Sequence, residues 1–244
     1  MVTGDEALQV LSTLGVFSPL RDLIGPAYEA QTGVRLSITF DPTTVLLAAI
    51  ASGRRADVVV AIEDGAASLV EDGVLASGSM VRVASTGVGL AKRVGLPPVD
   101  ISTPELFREA LLAAKSIVFS QSGASGIFFA GLIERLGIAD DIRAKALIVP
   151  KGFTAERLVL GEADFAVQQI SELLAVPGVE IVGPFPQPYQ VVTTFAAAVF
   201  AGSVRVEQAH LFIKALTGPE AAAAFAAAGL EPCADAGPVA AGHR

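Results

Sequence analysis

The chain has 244 residues, 52% of them hydrophobic and only 17% charged, with 25 acidic against 17 basic side chains and a net charge of −8. That length suits one large or two small domains with a core that needs no disulfide. The acidic balance, with Lys and Arg scattered rather than clustered, argues against nucleic acid and anionic membrane surfaces as partners. The single cysteine, Cys233, excludes an internal disulfide and a cysteine-rich metal site. No apolar run reaches transmembrane length; the most apolar stretch, Thr194 to Ala201, is far too short, so no membrane insertion is expected. Met1-Val2-Thr3-Gly4-Asp5-Glu6 carries neither a basic n-region nor an apolar h-region. The chain therefore reads as cytoplasmic as written, or as periplasmic if a leader has been removed.

Leu8-Gln9-Val10-Leu11 reads as a first strand, ending at Ser12-Thr13-Leu14-Gly15. A helix follows, with Leu20, Leu23, Ile24 and Tyr28 on its apolar stripe and Gly33 as its C′ residue. Pro26 falls inside that pattern and implies a kink or a late start. Val34 to Phe40 alternates apolar and polar residues as a second strand. Asp41-Pro42-Thr43-Thr44 opens a helix carrying Val45, Leu46, Ala49 and Ile50 and closed by Gly53. Asp57-Val58-Val59-Val60-Ala61-Ile62 is a strand buried on both faces, followed by Glu63-Asp64-Gly65 as a solvated loop and a short helix with Leu69 and Val70 that ends at Gly73. The order βαβαβ implies parallel strands with right-handed crossovers.

Val81 to Ser85 and Val88 to Ala91 read as two shorter, glycine-broken strands at a domain crossing. Ser102-Thr103-Pro104-Glu105 is a helix start, with a hydroxyl cap, proline at N1 and an acidic first turn. Ser116-Ile117-Val118-Phe119 reads as a buried strand, and Ser120-Gln121-Ser122-Gly123-Ala124-Ser125-Gly126 as a small-residue loop into the next helix, with Ser125 as N-cap. That helix places Ile127, Phe128, Ala130, Leu132, Ile133 and Leu136 at helical spacing and stops at Gly137. Leu147-Ile148-Val149 forms a strand ending at Pro150-Lys151-Gly152, and a helix carrying Leu158, Val159 and Leu160 stops at Gly161. Asp164 to Val167 forms the next strand, ending at Gln168-Gln169. Gly183-Pro184-Phe185-Pro186-Gln187-Pro188 is a stiff polyproline-like segment read as a return to the first unit. Tyr189 to Phe200 is an apolar strand region; helices with Leu211, Phe212 and Leu216, and from Gly218-Pro219-Glu220 to Gly229, complete the chain. The Gly/Ala/Pro tail to Arg244 is expected to be mobile.

The pattern gives α/β architecture in two units, each a mixed sheet flanked by helices: residues 1–84 plus 189–244, with residues 85–188 inserted and crossings near 82–86 and 184–190. In open α/β sheets ligands bind beyond the carboxyl ends of the strands. Here those ends carry Ser12-Thr13, Thr43-Thr44, Ser122-Gly123-Ala124-Ser125-Gly126 and Gln168-Gln169-Ile170-Ser171. They are neutral hydroxyls, amides and N–H groups opening helices, a composition suited to a small anion. Lys151, directly after a strand, is the one charge placed near them, although a solvent-facing turn lysine would read the same.

Other chemistry finds little support. The two histidines, His210 and His243, lie on a late helix and in the tail, away from the strand ends that a Ser–His–Asp triad would need. Gly87-Val88-Gly89 lacks the third glycine of a dinucleotide loop, and no Walker lysine motif is present. Metal binding would rest on carboxylates alone, and Glu63-Asp64 is the nearest approach to a cluster. No metal and no cofactor are expected.

The order of these motifs resembles the molybdate-binding, ModA-like branch of type II periplasmic solute-binding proteins. Ser12-Thr13, Thr43-Thr44, Arg55-Ala56-Asp57-Val58-Val59-Val60-Ala61, Gly123-Ala124-Ser125-Gly126-Ile127 and Gly218-Pro219-Glu220-Ala221-Ala222 carry the resemblance, from about Gln9 to Leu230. It implies a two-lobed fold that holds a tetrahedral oxyanion between the lobes, with Ser12, Thr44, Ala61 and Ser125 as contacts and an ABC permease as partner if the chain is exported. The family's molybdate site usually draws on a tyrosine near the end of the strand that finishes here at Gln168-Gln169, and amides stand there instead. The same broad family is similar to a bacterial aconitate isomerase, which interconverts cis- and trans-aconitate. Two readings follow. One is a monomeric binding protein for a small oxyanion or carboxylate; the alternative is a cofactor-free isomerase of a small unsaturated carboxylate, whose donor loops stabilise the charge that develops as a proton leaves. The second needs a base, for which Lys151, Glu63, Glu172 and Tyr189 are candidates that spacing does not separate.

Overall fold

The computed structural model describes residues 7–233. The expectations for Met1–Glu6, for His243 and for the tail lie outside these residues. Strand β1 (Leu8–Ser12) leads through a 3-10 turn at Leu14–Val16, helix α1 (Phe17–Pro19) and a π turn at Leu20–Ile24 into α2 (Gly25–Thr32). Pro26 has no N–H to give to the carbonyl four residues back, so the single helix expected here is interrupted by a widened turn just before it. The π turn rotates the stripe: Leu20, Ile24 and Tyr28 are buried, whereas Leu23 is exposed, contrary to its expected place. Next come β2 (Leu36–Phe40), α3 (Thr43–Ala51), β3 (Val58–Ile62) and α4 (Glu63–Glu71). Glu63-Asp64-Gly65 is thus no loop but the first turn of α4, where acidic side chains meet the positive end of the helix dipole.

Strand β4 (Val81–Arg93) is one 13-residue strand rather than two short ones. Its glycines admit close neighbours instead of breaking it. A Cβ on Gly87 would lie 2.7 Å from Gln190 Nε2, and one on Gly89 would lie 2.6 Å from Ile170 Cγ1. Gln190 fills the space at Gly87 by accepting from Val88 N–H (3.0 Å) and donating to Val88 O (3.1 Å). The chain divides at this strand into two compact units, one running through Ser85 and resuming at Thr193, the other Thr86–Val192.

The second unit contains α5 (Pro104–Ala113), β5 (Ile117–Ser120), α6 (Ala124–Arg135), α7 (Ala139–Arg143), β6 (Ala146–Val149), α8 (Glu156–Val159), β7 (Phe165–Gln169), α9 (Ile170–Leu174) and β8 (Val179–Pro184). As expected, Thr103 caps α5, its hydroxyl accepting from Leu106 N–H at 3.2 Å. Strand β5 runs parallel to β6 and β7, while the second half of β4 pairs antiparallel with β7 and β8, giving the order β8-β4-β7-β5-β6. The buried stripe of α6 is Ser125, Gly126, Phe129, Leu132 and Ile133; Leu132 and Ile133 are buried as expected and Phe128, Ala130 and Leu136 pack partly buried against the same core, whereas Ile127 stands 52% exposed, contrary to its expected place. Val159 and Leu160 are exposed too, leaving Leu158 as the buried anchor of α8. The segment from Gly183 is not a free return: Gly183 and Pro184 extend β8, and Phe185 packs in the core 4.6 Å from the Phe107 ring.

The first unit resumes with β9 (Val192–Val199), α10 (Val206–Leu216), α11 (Pro219–Ala227) and β10 (Glu231–Pro232). Its sheet runs β2-β1-β3-β9-β4, with β1 parallel to β2 and β3, β3 antiparallel to β9, and β10 on β4. Both faces of β3 are buried, as its unbroken Val run implies. Val58 and Val60 face Tyr28, Phe212 and Phe225; Val59 and Ala61 face Leu46, Ile50 and Leu69. In α10 it is Phe212, Ile213 and Leu216 that enter this core, while Leu211 is exposed. Among the described residues, no helix is long and apolar enough to cross a membrane.

Candidate functional site

In the first unit the parallel strands β1, β2 and β3 end side by side at Ser12, Phe40 and Ile62. Three hydrogen bonds stitch these ends together. Asp41 N–H donates to Ser12 O (3.1 Å), Thr13 N–H to Val60 O (2.8 Å), and Ile62 N–H to Thr43 Oγ1 (3.2 Å). Ser12, Thr13 and Thr43 are buried, and Thr44 is exposed on the first turn of α3. Ser12 Oγ turns back to donate to Thr13 O at 3.2 Å. Ala61 is fully buried opposite Ala196 of β9, so its methyl is core. The cluster brings five of the sequence-predicted residues to one sheet edge.

In the second unit β5 and β7 are parallel and α6 packs on both. Ser120 Oγ accepts from Gly123 N–H (3.0 Å), Gln121 N–H donates to Val149 O (2.8 Å), and Ser122 Oγ donates to Pro150 O (2.6 Å). Gly123, not Ser125, is the N-cap of α6. Its extended backbone (φ −73°, ψ 143°) brings no side-chain cap, and Ser125 lies one turn position further in, buried. The reason is Gly126, where a Cβ would fall 1.8 Å from Ser120 O. The helix starts so close over the strand end that its first turn must be made of small residues.

Gln168 and Gln169 point to opposite faces of β7. Gln168 Oε1 accepts from Thr154 N–H (2.8 Å) and Thr154 Oγ1 (2.9 Å), and its Nε2 donates to Gly152 O (3.0 Å). That side chain staples β7 to the loop after β6. Gln169 shares its face with Phe165 and Val167, on the side of the core that includes Phe129 of α6. It is 3% exposed, and its Oε1 has no hydrogen-bond partner; the same holds for Ser171 Oγ, 4% exposed. Two unsatisfied buried acceptors at one strand end call for an explanation.

The four candidate bases separate cleanly. Lys151 is exposed on the turn after β6. Glu63, in the first unit, pairs with Arg82 at 2.6 Å. Tyr189 packs its ring 6.0 Å from Phe107, and its N–H donates to Pro186 O (2.7 Å). Glu172, on α9, is 8% exposed beside Gln168 and Gln169. Burial pushes its carboxyl from near 4.5 up to about 8, opposed by hydrogen bonds from the Gln168 side chain and the Gln169 main chain, with no charged side chain among the causes. Gln169 is the N-cap of α9 and Glu172 its third residue, so this carboxyl reaches back to the cap in the manner of a capping box. Thr154, bonded to the Gln168 side chain, is the member of this cluster that strand-end reasoning missed.

Glu172 makes stability depend on pH. Between about pH 4.5 and pH 8 the unfolded chain has given up this proton while the folded chain keeps it, so stability falls as pH rises through that window. Glu172→Gln, which is neutral throughout, is expected to flatten that fall. Thermal midpoints of both proteins across the window check it, and parallel curves would contradict it.

Elsewhere, His210 is exposed on α10, and no group of three metal-ligating side chains occurs among the described residues. A groove of about 710 Å³ between α2, α10 and α11, lined by Leu23, Tyr28, Leu211 and Ala224 among others, holds none of the candidate site residues.

Comparison with known proteins agrees with this architecture. The pattern of the bacterial extracellular solute-binding proteins matches residues 8–231. An aconitate isomerase from Pseudomonas sp is 33% identical over 231 residues, covering 92% of this chain and 87% of its own length. The Azotobacter vinelandii periplasmic molybdate-binding protein superposes with a TM-score of 0.77 at 20% identity, over 91% of this chain and 98% of that one. The sulfate-binding protein SubI from Mycobacterium tuberculosis H37Rv does so with a TM-score of 0.70 at 18% identity, over 94% and 88%. These two show the shared two-lobed fold. With its family pattern spanning nearly all the described residues and one residue in three shared with a relative over the same length, the chain belongs to the bacterial extracellular solute-binding proteins.

Proposed function

We propose that this protein captures a small carboxylate anion through hydroxyls and main-chain N–H groups at its strand ends, with Ser12, Thr13, Thr43 and Thr44 of the first unit as one candidate set and the Ser122–Ser125 loop of the second unit as another. The observation that carries the reading is the neutrality of both strand-end clusters. They offer hydroxyls and helix-start N–H groups, with no fixed charge among the buried members. A neutral donor set suits an anion whose charge is spread over several oxygens. A carboxylate is preferred to a tetrahedral oxyanion because the strand end at Gln168-Gln169 has amides where the molybdate binders usually place a tyrosine. Gln168 is already occupied within the protein. The 33% identical relative carries the name of an enzyme acting on a tricarboxylate, whereas the molybdate and sulfate binders share 20% or less. As a binding protein the chain would act as a monomer and pass its ligand to an ABC permease.

Thr44→Glu tests this. The position is exposed on the first turn of α3, where a carboxylate is favourable to the helix. The fold is therefore expected to survive while the new charge repels the ligand. Titration calorimetry with trans-aconitate should show at least a roughly tenfold loss of affinity, about 1.4 kcal/mol. Unchanged affinity would remove α3 from the site.

A second reading is favoured by one specific observation, the buried Glu172 carboxyl with a proton that can leave near neutral pH. In that reading the bound acid is also isomerised. A proton leaves the methylene carbon, the C–H electron pair enters the adjacent double bond system, and a proton returns to the former vinylic carbon. No electron is gained or lost, so no cofactor is required. The donor loops would stabilise the charge that the carboxyl groups take up while the proton is away.

A further inference from the structure

We infer that Ser120 is the positioning residue of the second unit's candidate set: its hydroxyl ties the Gly123 N–H to the end of β5, so that the next donors, the N–H groups of Ala124 and Ser125 and the Ser125 hydroxyl, are left for the anion. The inference deepens the carboxylate-binding reading above and rests on it. The donors of this loop are taken up by the protein in order as far as the helix, and no further. Gln121 N–H goes to Val149 O (2.8 Å), Ser122 Oγ to Pro150 O (2.6 Å) and Gly123 N–H to Ser120 Oγ (3.0 Å). The first N–H groups of a helix have no carbonyl of their own helix to bond. Among the described residues nothing accepts from Ala124 or Ser125 N–H, and α6 has no side-chain cap.

A second observation is independent of the helix end. Ser125 is 3% exposed, yet its hydroxyl has no hydrogen-bond partner among the described residues. That oxygen lies 4.0 Å from the point where a Cβ on Gly123, the N-cap, would stand, so it sits over the uncapped start of α6. Buried hydroxyls are nearly always paired, and one left open at a helix start marks a place where a ligand oxygen supplies the partner.

Ser120 is what lets the cap stay vacant. An N-cap is ordinarily Ser, Thr, Asp or Asn, whose side-chain oxygen would occupy the N–H groups that an anion needs. Gly123 brings no such oxygen, and its extended backbone is one that any residue adopts, so conformational freedom does not call for the glycine. A Cβ there would stand 3.2 Å from Ser120 Oγ and crowd the bond that holds the loop. Ser120 is 2% exposed and fixes the turn twice, with its hydroxyl on Gly123 and with its carbonyl against Gly126. The first turn of α6 is thus held from beneath, by the strand, and its outward donors are free.

Amide NMR and calorimetric titration with trans-aconitate, on wild type, Ser120→Ala and Ser120→Thr, test the assignment. In the free wild type the Gly123 amide is expected to be protected from solvent exchange, with the Ala124 and Ser125 amides exchanging freely. Trans-aconitate should shift and protect those two. Ser120→Ala should expose the Gly123 amide and bind the acid at least about fivefold more weakly, the loss of one neutral hydrogen bond. Ser120→Thr, which keeps the acceptor, should stay within about twofold of wild type. A hydroxyl needed for stability alone would lower the thermal midpoint of Ser120→Ala and leave the affinity of the folded protein unmoved. That result, a threonine variant as weak as the alanine one, or a Gly123 amide unprotected in wild type would overturn the assignment while leaving the binding reading intact. Binding that leaves the Ala124 and Ser125 amides unmoved would remove this loop from the site, and the assignment with it. A wild type that does not bind the acid would overturn the carboxylate reading itself.

Discussion

Replacing Gly126 with alanine is expected to cost at least about 3 kcal/mol of stability, the upper range for overpacking. The added Cβ would sit 1.8 Å from Ser120 O, 2.7 Å from Ser120 C and 3.0 Å from Ser120 N. All three are main-chain atoms of β5, so no side chain can swing aside to relieve the contact. Ser120 is moreover tied on both sides: its hydroxyl accepts from Gly123 N–H, and the strand pairs with β6 and β7. The helix can only retreat, and Phe129, Leu132 and Ile133 would leave the core with it. Gly131 on the same helix is the control. A Cβ there meets nothing nearer than Arg135 Nη1 at 3.4 Å, the end of a flexible side chain. Gly131→Ala should therefore be neutral or stabilising by up to about 1 kcal/mol through helix propensity. Urea denaturation of both variants checks the pair, and equal effects would show that the close approach at Gly126 is not what fixes the start of α6.

Asp57→Ala is the second large expected effect, about 3 kcal/mol, from leaving several partners of one buried carboxylate unpaired at once. The carboxylate is buried at the entrance of β3. Its Oδ2 accepts from Gln9 N–H of β1 at 2.8 Å, and its Oδ1 accepts from Ser203 Oγ, just past β9, at 2.7 Å. Arg205 approaches Oδ2 at 3.8 Å, and Ser203 Oγ accepts in turn from Arg205 N–H at 3.1 Å. One side chain thus joins β1, β3 and the turn into α10. Alanine removes the acceptors but leaves the donors of Gln9, Ser203 and Arg205 without this partner. Asp57→Asn, which keeps one oxygen, should lose roughly half as much. A loss below about 1 kcal/mol for alanine would mean that water replaces the carboxylate without cost. Asp57 lies in the run Arg55 to Ala61 that carried the family resemblance, and its role is in the frame of the fold.

Where the sequence could be read, it was because a residue type had one physical use. Val58 to Ile62 is too short for a buried helix and too apolar for a surface strand, and it is the central strand of its sheet. Thr103-Pro104 can only open a helix, and Gly33, Gly137 and Gly229 close theirs with positive φ, at 71°, 64° and 76°. Reading failed where a neighbour decided the outcome. Gly87 and Gly89 look like breaks in a strand, yet they are spaces for Gln190 and Ile170, which lie far along the chain. Leu23 and Ile127 fit a helical period that a π turn and a close-packed first turn had displaced.

The candidate site was half legible. Strand-end hydroxyls at Ser12, Thr43 and Ser122 could be located because parallel strands put their carboxyl ends along one edge. Their hydrogen bonds could not, and these turn Ser122 and Gln168 partly into structural ties. Glu172 stood among the candidate bases, but its burial was not legible, since glutamate is almost never buried without a partner. Only its place behind Gln168 and Gln169 in the fold distinguishes it from a surface acid.

Which anion the neutral strand ends accept decides between a carboxylate and an oxyanion binder. Calorimetric titration of trans-aconitate and of molybdate into the wild-type chain, repeated with Thr44→Glu, addresses that choice. Saturable one-to-one binding of the carboxylate, weakened in the variant, with no heat from molybdate, is the predicted result. Saturable binding of molybdate with none of the carboxylate would contradict it.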